Sequence, residues 1–515
     1  MPKRLLVRNH SSRIFSPKLH TLMRTLETGD FHMESLWRKQ TKDIPVKTKI
    51  KQNEKQEENW DVIVIGAGMA GLLTAYYLKE QGKKVLVLEA AQVASGQTER
   101  TTAKITSQHG VKYSKLIETV GAEKARLYAQ ANETAIREYE HFIKSKGIDC
   151  QFERLPAYLY TMQDENILME EAKSACLLGI DAFFTRETEL PFPIKGALCF
   201  NNQAQFSPLE FVKYLSSQLE ILEHTKVTQI RGHQVFTENN TFTAEKIIVA
   251  THYPLINLPG FYFLRQHQER SYVLALSGCK KINGMYYGID KDGLSLRQAG
   301  EFLLLGGSPS RTGAHDNGRA YDALIEAAEQ YFPGSQEVTR WSAQDCMPHD
   351  GIPFIGKYSC FTPNLYVITG FQKWGMTTSM IAALILRDTL CGLDNPYAKL
   401  FSPQRMNCKA AMSNLLMDVG MSVKGLTRGF FHHAKDKAIT LSCGQGGIVT
   451  VDGKTYACYR DEKGMLHQIS HRCAHMGCEL EWNPNEKSWD CPCHGSLFDV
   501  DGKLLDNPSK KSIEK

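Results

Sequence analysis

Two short clusters late in the chain put sulfur beside imidazole. Cys473-Ala474-His475 is followed by 15 residues and then by Cys491-Pro492-Cys493-His494. Each half offers one thiolate and one imidazole, so two loops brought together would supply two Cys and two His. That donor set suits a [2Fe–2S] cluster with the cysteines on one iron and the histidines on the other. Neutral imidazole removes negative charge from its iron. The potential then rises to about −150 to +300 mV, against about −400 mV for all-Cys plant-type clusters. The same four residues could also be written as a tetrahedral zinc site.

A second chemical signature lies far upstream. Gly66-Ala67-Gly68-Met69-Ala70-Gly71 is G-x-G-x-x-G, preceded by the β-branched run 61–65 (DVIVI) and followed by a helical pattern ending near Gly82. The first glycine allows a tight turn, the second admits a pyrophosphate, and the third lets helix pack on strand. The helix N-terminus adds free N–H groups and a positive dipole end. Glu89 closes the next buried strand, 84–88 (KVLVL), 23 residues after Gly66. Its carboxylate suits ribose hydroxyls and repels a 2′-phosphate, so NADP is disfavoured. No second G-x-G-x-x-G with strand context occurs, so electrons are expected from an organic donor.

The elements that must position these groups follow a mixed pattern. Order is expected to begin at Trp60 with a βαβ opening. Helical stretches follow at about 114–147, 165–178 and 319–331, with strands at about 150–160, 227–230, 247–250 and 255–307. Residues 376–391 form a strongly apolar helix stopping at Gly392. From Ala438 the texture changes to short strands and turns, with a turn at Asp452-Gly453.

The bulk properties set limits. At 515 residues the chain is long enough for about three domains. A net charge of +5, from 61 basic and 56 acidic side chains, gives no case for nucleic acid. No apolar run reaches the roughly 18 residues needed to span a bilayer, and the N-terminal residues lack the apolar core of a signal peptide, so none is expected and the location is expected to be cytoplasmic. Most of the 14 cysteines should then be free thiols. Residues 1–26 hold six Lys or Arg and no acid, which fits either a transit peptide or a disordered extension upstream of a start at Met33.

The stretch HRCAHMGCELEWN through WDCPCHGSLFDVDGK resembles Rieske proteins over about residues 440–508. The resemblance makes Cys473, His475, Cys491 and His494 the iron ligands and implies a loop-bridging disulfide between Cys478 and Cys493. Ser496 would donate to a cluster sulfur, raising the potential. Phe498 stands where high-potential relatives usually have a Tyr donor, so the potential should be tempered. Asn507-Pro508 replaces the usual Gly-Pro of the third loop, which leads us to expect a looser cover.

Upstream, residues 95–106 (SGQTERTTAKIT), 247–251 (IIVAT), 350–356 (DGIPFIG), 364–370 (NLYVITG) and Gly375-Met376-Thr377 together resemble the D-amino-acid-oxidase-like family of FAD enzymes over about residues 58–405. That implies a Rossmann-like, glutathione-reductase-type FAD-binding domain with an inserted α+β substrate domain, followed by a small all-β Rieske domain. The expected segments are an extension at 1–57, FAD-binding parts at about 58–149, 205–255 and 340–405, a substrate domain at about 150–204 and 256–339, a linker at 406–435 and the Rieske domain at 436–515. Besides the glycine loop and Glu89, the resemblance implies FAD contacts from Thr101, Thr102, Ala103, Lys104, Val227, Ala250, Thr251, Gly351, Ile352, Gly370 and Trp374 through Thr377. Lys104 could instead be a plain salt bridge, and Trp374 a core aromatic. No position matches the family's covalent attachment residues, so FAD should be non-covalent. Relatives often hold a substrate carboxylate with an Arg and a Tyr, for which Tyr286, Tyr287, Arg297 and Arg311 are available. The two halves imply hydride transfer from a small amine or amino acid to FAD. Electrons would then leave singly through the cluster to an external acceptor. A redox-sensing or electron-transfer protein without metabolite turnover is the rival.

Overall fold

The computed structural model describes residues 33–41, 43–46, 59–314, 318–405, 441–451 and 453–513. The expected linker at 406–435 and Asp452 lie outside them, as do residues 1–32. Order starts earlier than expected. Helix α1 (Leu36–Gln40), capped by Ser35, buries Leu36 and Trp37 against the body of the protein. Five residues are too few for a periodicity to show, so the sequence reading took them as part of a loose extension.

Strand β1 (Asn59–Ile65), helix α2 (Met69–Glu80) and strand β2 (Val85–Leu88) form the βαβ opening. β1 is central in an eight-stranded sheet, parallel to β2 on one side and to Thr241–Val249 on the other. Val62 and Val64 enter one apolar core while Ile63 and Ile65 enter another. Both faces are covered, which is why β1 reads as a continuous apolar run. Gly66 has φ +108°, and a Cβ there would sit 2.5 Å from the carbonyl oxygen of Ala250; one at Gly71 would collide with the carbonyl of Gly66. Glycine is therefore required where α2 leaves the sheet.

A nine-stranded sheet forms the second layer. Its edge is built by β3 (Gln266–Ser277), β4 (Phe302–Arg311) and β5 (Gln336–Pro348), with β3 antiparallel to both others. β5 carries residues 340–348 into this sheet, whereas the sequence reading assigned them to the FAD-binding part. Helix α3 (Gly375–Cys391) packs against α2 beneath the first sheet.

The C-terminal part is two small antiparallel sheets around Leu480, Trp489, Phe498 and the cysteine sulfurs. It rests on β3 and β5. Arg270, 2 % exposed, points from β3 at Asp490 (3.4 Å) and Glu486 (3.8 Å). At Gly313 (φ +70°) a Cβ would meet the backbone of Pro492 at 2.5 Å, so the chain after β4 touches the second ligand loop directly. No helix among the described residues is long and apolar enough to cross a membrane.

Candidate flavin cavity and iron–sulfur site

A cavity of about 1110 Å³ runs from the glycine loop to the N-terminus of α3. Gly66, Gly68, Met69 and Ala70 line one end with Glu89. Glu89 accepts from Ala67 N and Ala91 N, both at 2.8 Å, which fixes its carboxylate facing the cavity, while burial raises its pKa. Val227, Ala250 and Thr251 line the middle. Thr101, Thr102, Lys104, Gly370, Trp374, Gly375 and Met376 line the far end. The glycine cradle, the fixed carboxylate and the length of the cavity fit a dinucleotide.

Five predicted contact residues do not line the cavity. Ala103 is fully buried, and Thr377 bonds the carbonyl of Thr106 at 3.2 Å. The Gly351 carbonyl accepts from the Lys112 ammonium, and Ile352 is core. Gly71 is the packing glycine described above.

Among the described residues no carboxylate pairs with Lys104. Its ammonium donates to Tyr286 O (2.8 Å) and Ser295 Oγ (2.6 Å), and burial lowers its pKa to about 7. Trp374 is both core and lining. Its ring stacks on His109 at 4.8 Å and meets Tyr287 edge-on at 5.5 Å. His109 is buried between Tyr128 OH (2.8 Å) and Thr106 O (2.7 Å), and burial holds its ring well below the usual pKa.

Of the four proposed substrate residues, only Tyr287 lines the cavity. Tyr286 points to the opposite face, as its neighbour on a strand must, and stacks on Tyr158 at 4.9 Å. Arg297 is buried under Trp37, donating to Thr102 O (2.8 Å) and Ala103 O (2.9 Å), so it shapes the cavity wall. Arg311 lies at the junction with the C-terminal domain, beside Trp482 and Asp490.

The sequence reading missed the acidic group at the far end. Asp345 of β5 lines the cavity beside Lys373 and Trp374 and stands opposite Glu269 of β3 in the ladder. Burial pushes Asp345 up to about 7, helped by Glu269 and countered by Lys373. Burial works against the charge of Glu269 too, but His267 and Lys373 hold it down at about 2. Lys373 stands 3.4 Å from Glu269.

In the C-terminal domain the two predicted ligand loops face each other. Cys473 and Cys491 are buried and within hydrogen-bonding reach, an arrangement that would suit two ligands of one iron. The rings of His475 and His494 meet at 5.0 Å. Nδ1 of His475 is buried with no hydrogen-bond partner, while Nε2 is paired with Asn257 Oδ1 at 3.1 Å. A buried imidazole nitrogen left without a donor suits a metal bond. Cys478 and Cys493 form a disulfide across the loops, Cα–Cα 6.6 Å. Cys478, Cys491 and Cys493 also bring their sulfurs within 4.8 Å of one another, but two of these are consumed by that bond. Ser496 reaches the sulfur of Cys473 and accepts from Ser509 N at 3.0 Å.

The third loop is not loose. Pro508 and Ser509 are buried, and Asn507 Nδ2 donates to Thr251 O at 2.7 Å. Residues 504–510 line the flavin cavity. Two buried glutamines complete the join: Gln268 donates to His494 O (2.7 Å) and Gln344 to Gly495 O (2.9 Å).

Residues 61–389 match the FAD dependent oxidoreductase (DAO) family and residues 435–515 the Rieske [2Fe-2S] domain. The chain belongs to the DAO family of FAD-dependent oxidoreductases and carries a C-terminal Rieske domain, so its cofactors are FAD and a [2Fe–2S] cluster. It is 35% identical over 503 residues to YhfW of Bacillus subtilis (strain 168), provisionally named a Rieske 2Fe-2S iron-sulfur protein; the match spans 93% of this chain and 97% of that one. Glycine oxidase from Geobacillus kaustophilus shares the fold at TM-score 0.57 and 19% identity, over 68% of this chain and 99% of its own. L-proline dehydrogenase from P. horikoshii does so at TM-score 0.58 and 16% identity, over 68% and 98%.

Proposed function

We propose that this enzyme oxidises a small amine or amino acid at the carbon next to nitrogen and passes the electrons through its Rieske cluster to an external acceptor. The observation that carries this reading is the shared sheet. β3 and β5 line the flavin cavity on one side and hold the second ligand loop, through Gln268 and Gln344, on the other. The same pair of strands thus serves both candidate sites, which supports electron passage from one to the other.

FAD would supply a two-electron hydride acceptor and the cluster a one-electron relay. The chain's own residues do the rest. The N-terminus of α3 favours negative charge at the far end of the cavity. Tyr287 and Trp374 form an aromatic wall there, and residues 504–510 add a further part of the lining. Family relatives named for glycine oxidation and L-proline dehydrogenation support an amine donor, and a built-in electron exit favours dehydrogenase over oxidase. With no attachment residue matched, acid precipitation should release free FAD into the supernatant.

The test is anaerobic mixing with pools of amino acids and N-methyl amines. Flavin bleaching followed by the electron paramagnetic resonance signal of the reduced cluster is expected. No bleaching with any pool would leave the electron-transfer or redox-sensing reading in its place.

A further inference from the structure

We propose that Asp345 is the proton acceptor for a substrate that enters the cavity as an ammonium ion. This rests on the amine-oxidising reading above and narrows its substrate class to primary or secondary alkyl amines, free or within an amino acid.

The geometry isolates Asp345 among the acids of the cavity wall. Glu89 lies at the glycine-loop end, with both oxygens engaged by backbone N–H groups. Asp290 is taken by Thr161 and Met162, and Asp506 by Gln97 and Asn507. No hydrogen bond from a described residue reaches the carboxylate of Asp345. It lies on the cavity face of β5 with Ala343, opposite Glu269 and Ser271 of β3, and beside Lys373, one residue before Trp374. An oxygen pair facing the flavin end without a donor is placed to receive a proton from a ligand.

The surroundings keep the two carboxylates in different states. Like charges directly opposite in a ladder repel, so one of the pair must yield. Glu269 has His267 and Lys373 as partners and stays ionised. Asp345 has no hydrogen-bond donor among the described residues to offset its desolvation, and with Glu269 facing it exchanges its proton near neutrality. Lys373 is no competing base. Burial opposes its charge, but Tyr287, Glu269 and Asp345 hold its pKa above the ordinary value. Carboxylates whose environments drive their pKa values apart divide into a fixed charge and a working acid–base group.

The step balances. An N–H bond of the substrate ammonium breaks and an O–H bond forms on Asp345. That leaves a lone pair on nitrogen, which would form the C=N bond as the adjacent C–H gives up a hydride to the two-electron acceptor that FAD would supply. The substrate would leave as an iminium, two electrons poorer.

Holoenzyme carrying Asp345→Asn and Asp345→Glu tests the assignment on two readouts. In single anaerobic turnover at pH 7, D345N should bleach about 10²-fold more slowly than the parent, the usual scale for a lost general base. Its rate should lose the ionisation near neutrality, which D345E should restore. Independently of turnover, infrared difference spectra between about pH 5 and about pH 9 should show a protonated carboxyl titrating in the parent and absent from D345N. Parent and D345N bleaching with one pH profile would overturn this inference alone, as would an infrared titration unchanged by D345N. No bleaching of the parent by any amine would overturn it together with the proposed function.

Discussion

Replacing Arg270 by Met should release the Rieske domain from the flavin part while leaving each folded. The guanidinium is buried, with Asp490 at 3.4 Å and Glu486 at 3.8 Å across the junction. Met fills similar space and carries no charge. The Asp490 side chain, 3 % exposed, would then remain buried without its counter-charge. Breaking a buried pair from one side costs about 3–5 kcal/mol. Asp490 keeps bonds from Ser488 Oγ (2.7 Å) and Asn483 Nδ2 (3.0 Å), and Glu486 keeps Tyr321 OH (3.0 Å), so the lower figure applies. A loss of about 3 kcal/mol multiplies the undocked population about 10²-fold. Calorimetry with visible circular dichroism of the cluster followed in parallel should resolve one cooperative transition into two. The double variant with Asp490→Asn should recover part of the loss. A single coincident transition shifted by less than about 1 kcal/mol would refute the reasoning.

Serine at Cys478 or Cys493 should shorten the life of the cluster, read as faster decay of its visible absorption under reductant. Phe498→Tyr should raise the midpoint potential in a redox titration followed by paramagnetic resonance; no rise would show that position 498 does not set the tempered value. Glu269, held at about 2 in the folded protein against an ordinary 4.5, stabilises the fold above that ordinary value, and this is lost as pH falls from about 5 to about 2. A depression of that size is worth about 3 kcal/mol, so Glu269→Gln should flatten the acid limb of a stability–pH curve.

The parts of the site legible in sequence are those whose geometry is local. The glycine loop is six consecutive residues between a strand and a helix, and each ligand loop carries a thiolate and an imidazole within four residues. The pair Glu269 and Asp345 is a product of the β3–β5 register, which no short spacing records. Tyr286 and Tyr287 show the smallest form of the same problem, because choosing the wrong parity along one strand sends a side chain to the opposite face. Arg297 and Arg311 are ordinary arginines in the sequence. Only the packed structure shows that one clamps the carbonyls of Thr102 and Ala103 and the other sits at the domain junction. The looser third loop expected from Asn507-Pro508 failed for a related reason. Its support comes from Thr251 and Tyr253, a different part of the chain.

That loop has a consequence for assembly. Residues 504–510 form part of the flavin cavity's wall, yet they leave the ribosome long after the glycine loop that begins it. Until they arrive, that part of the wall is missing. Asn507, tied to Thr251, and Gln268, tied to the second ligand loop, hold that wall in place, so the seating of one small domain both completes the cavity and fixes the ligand loop against β3.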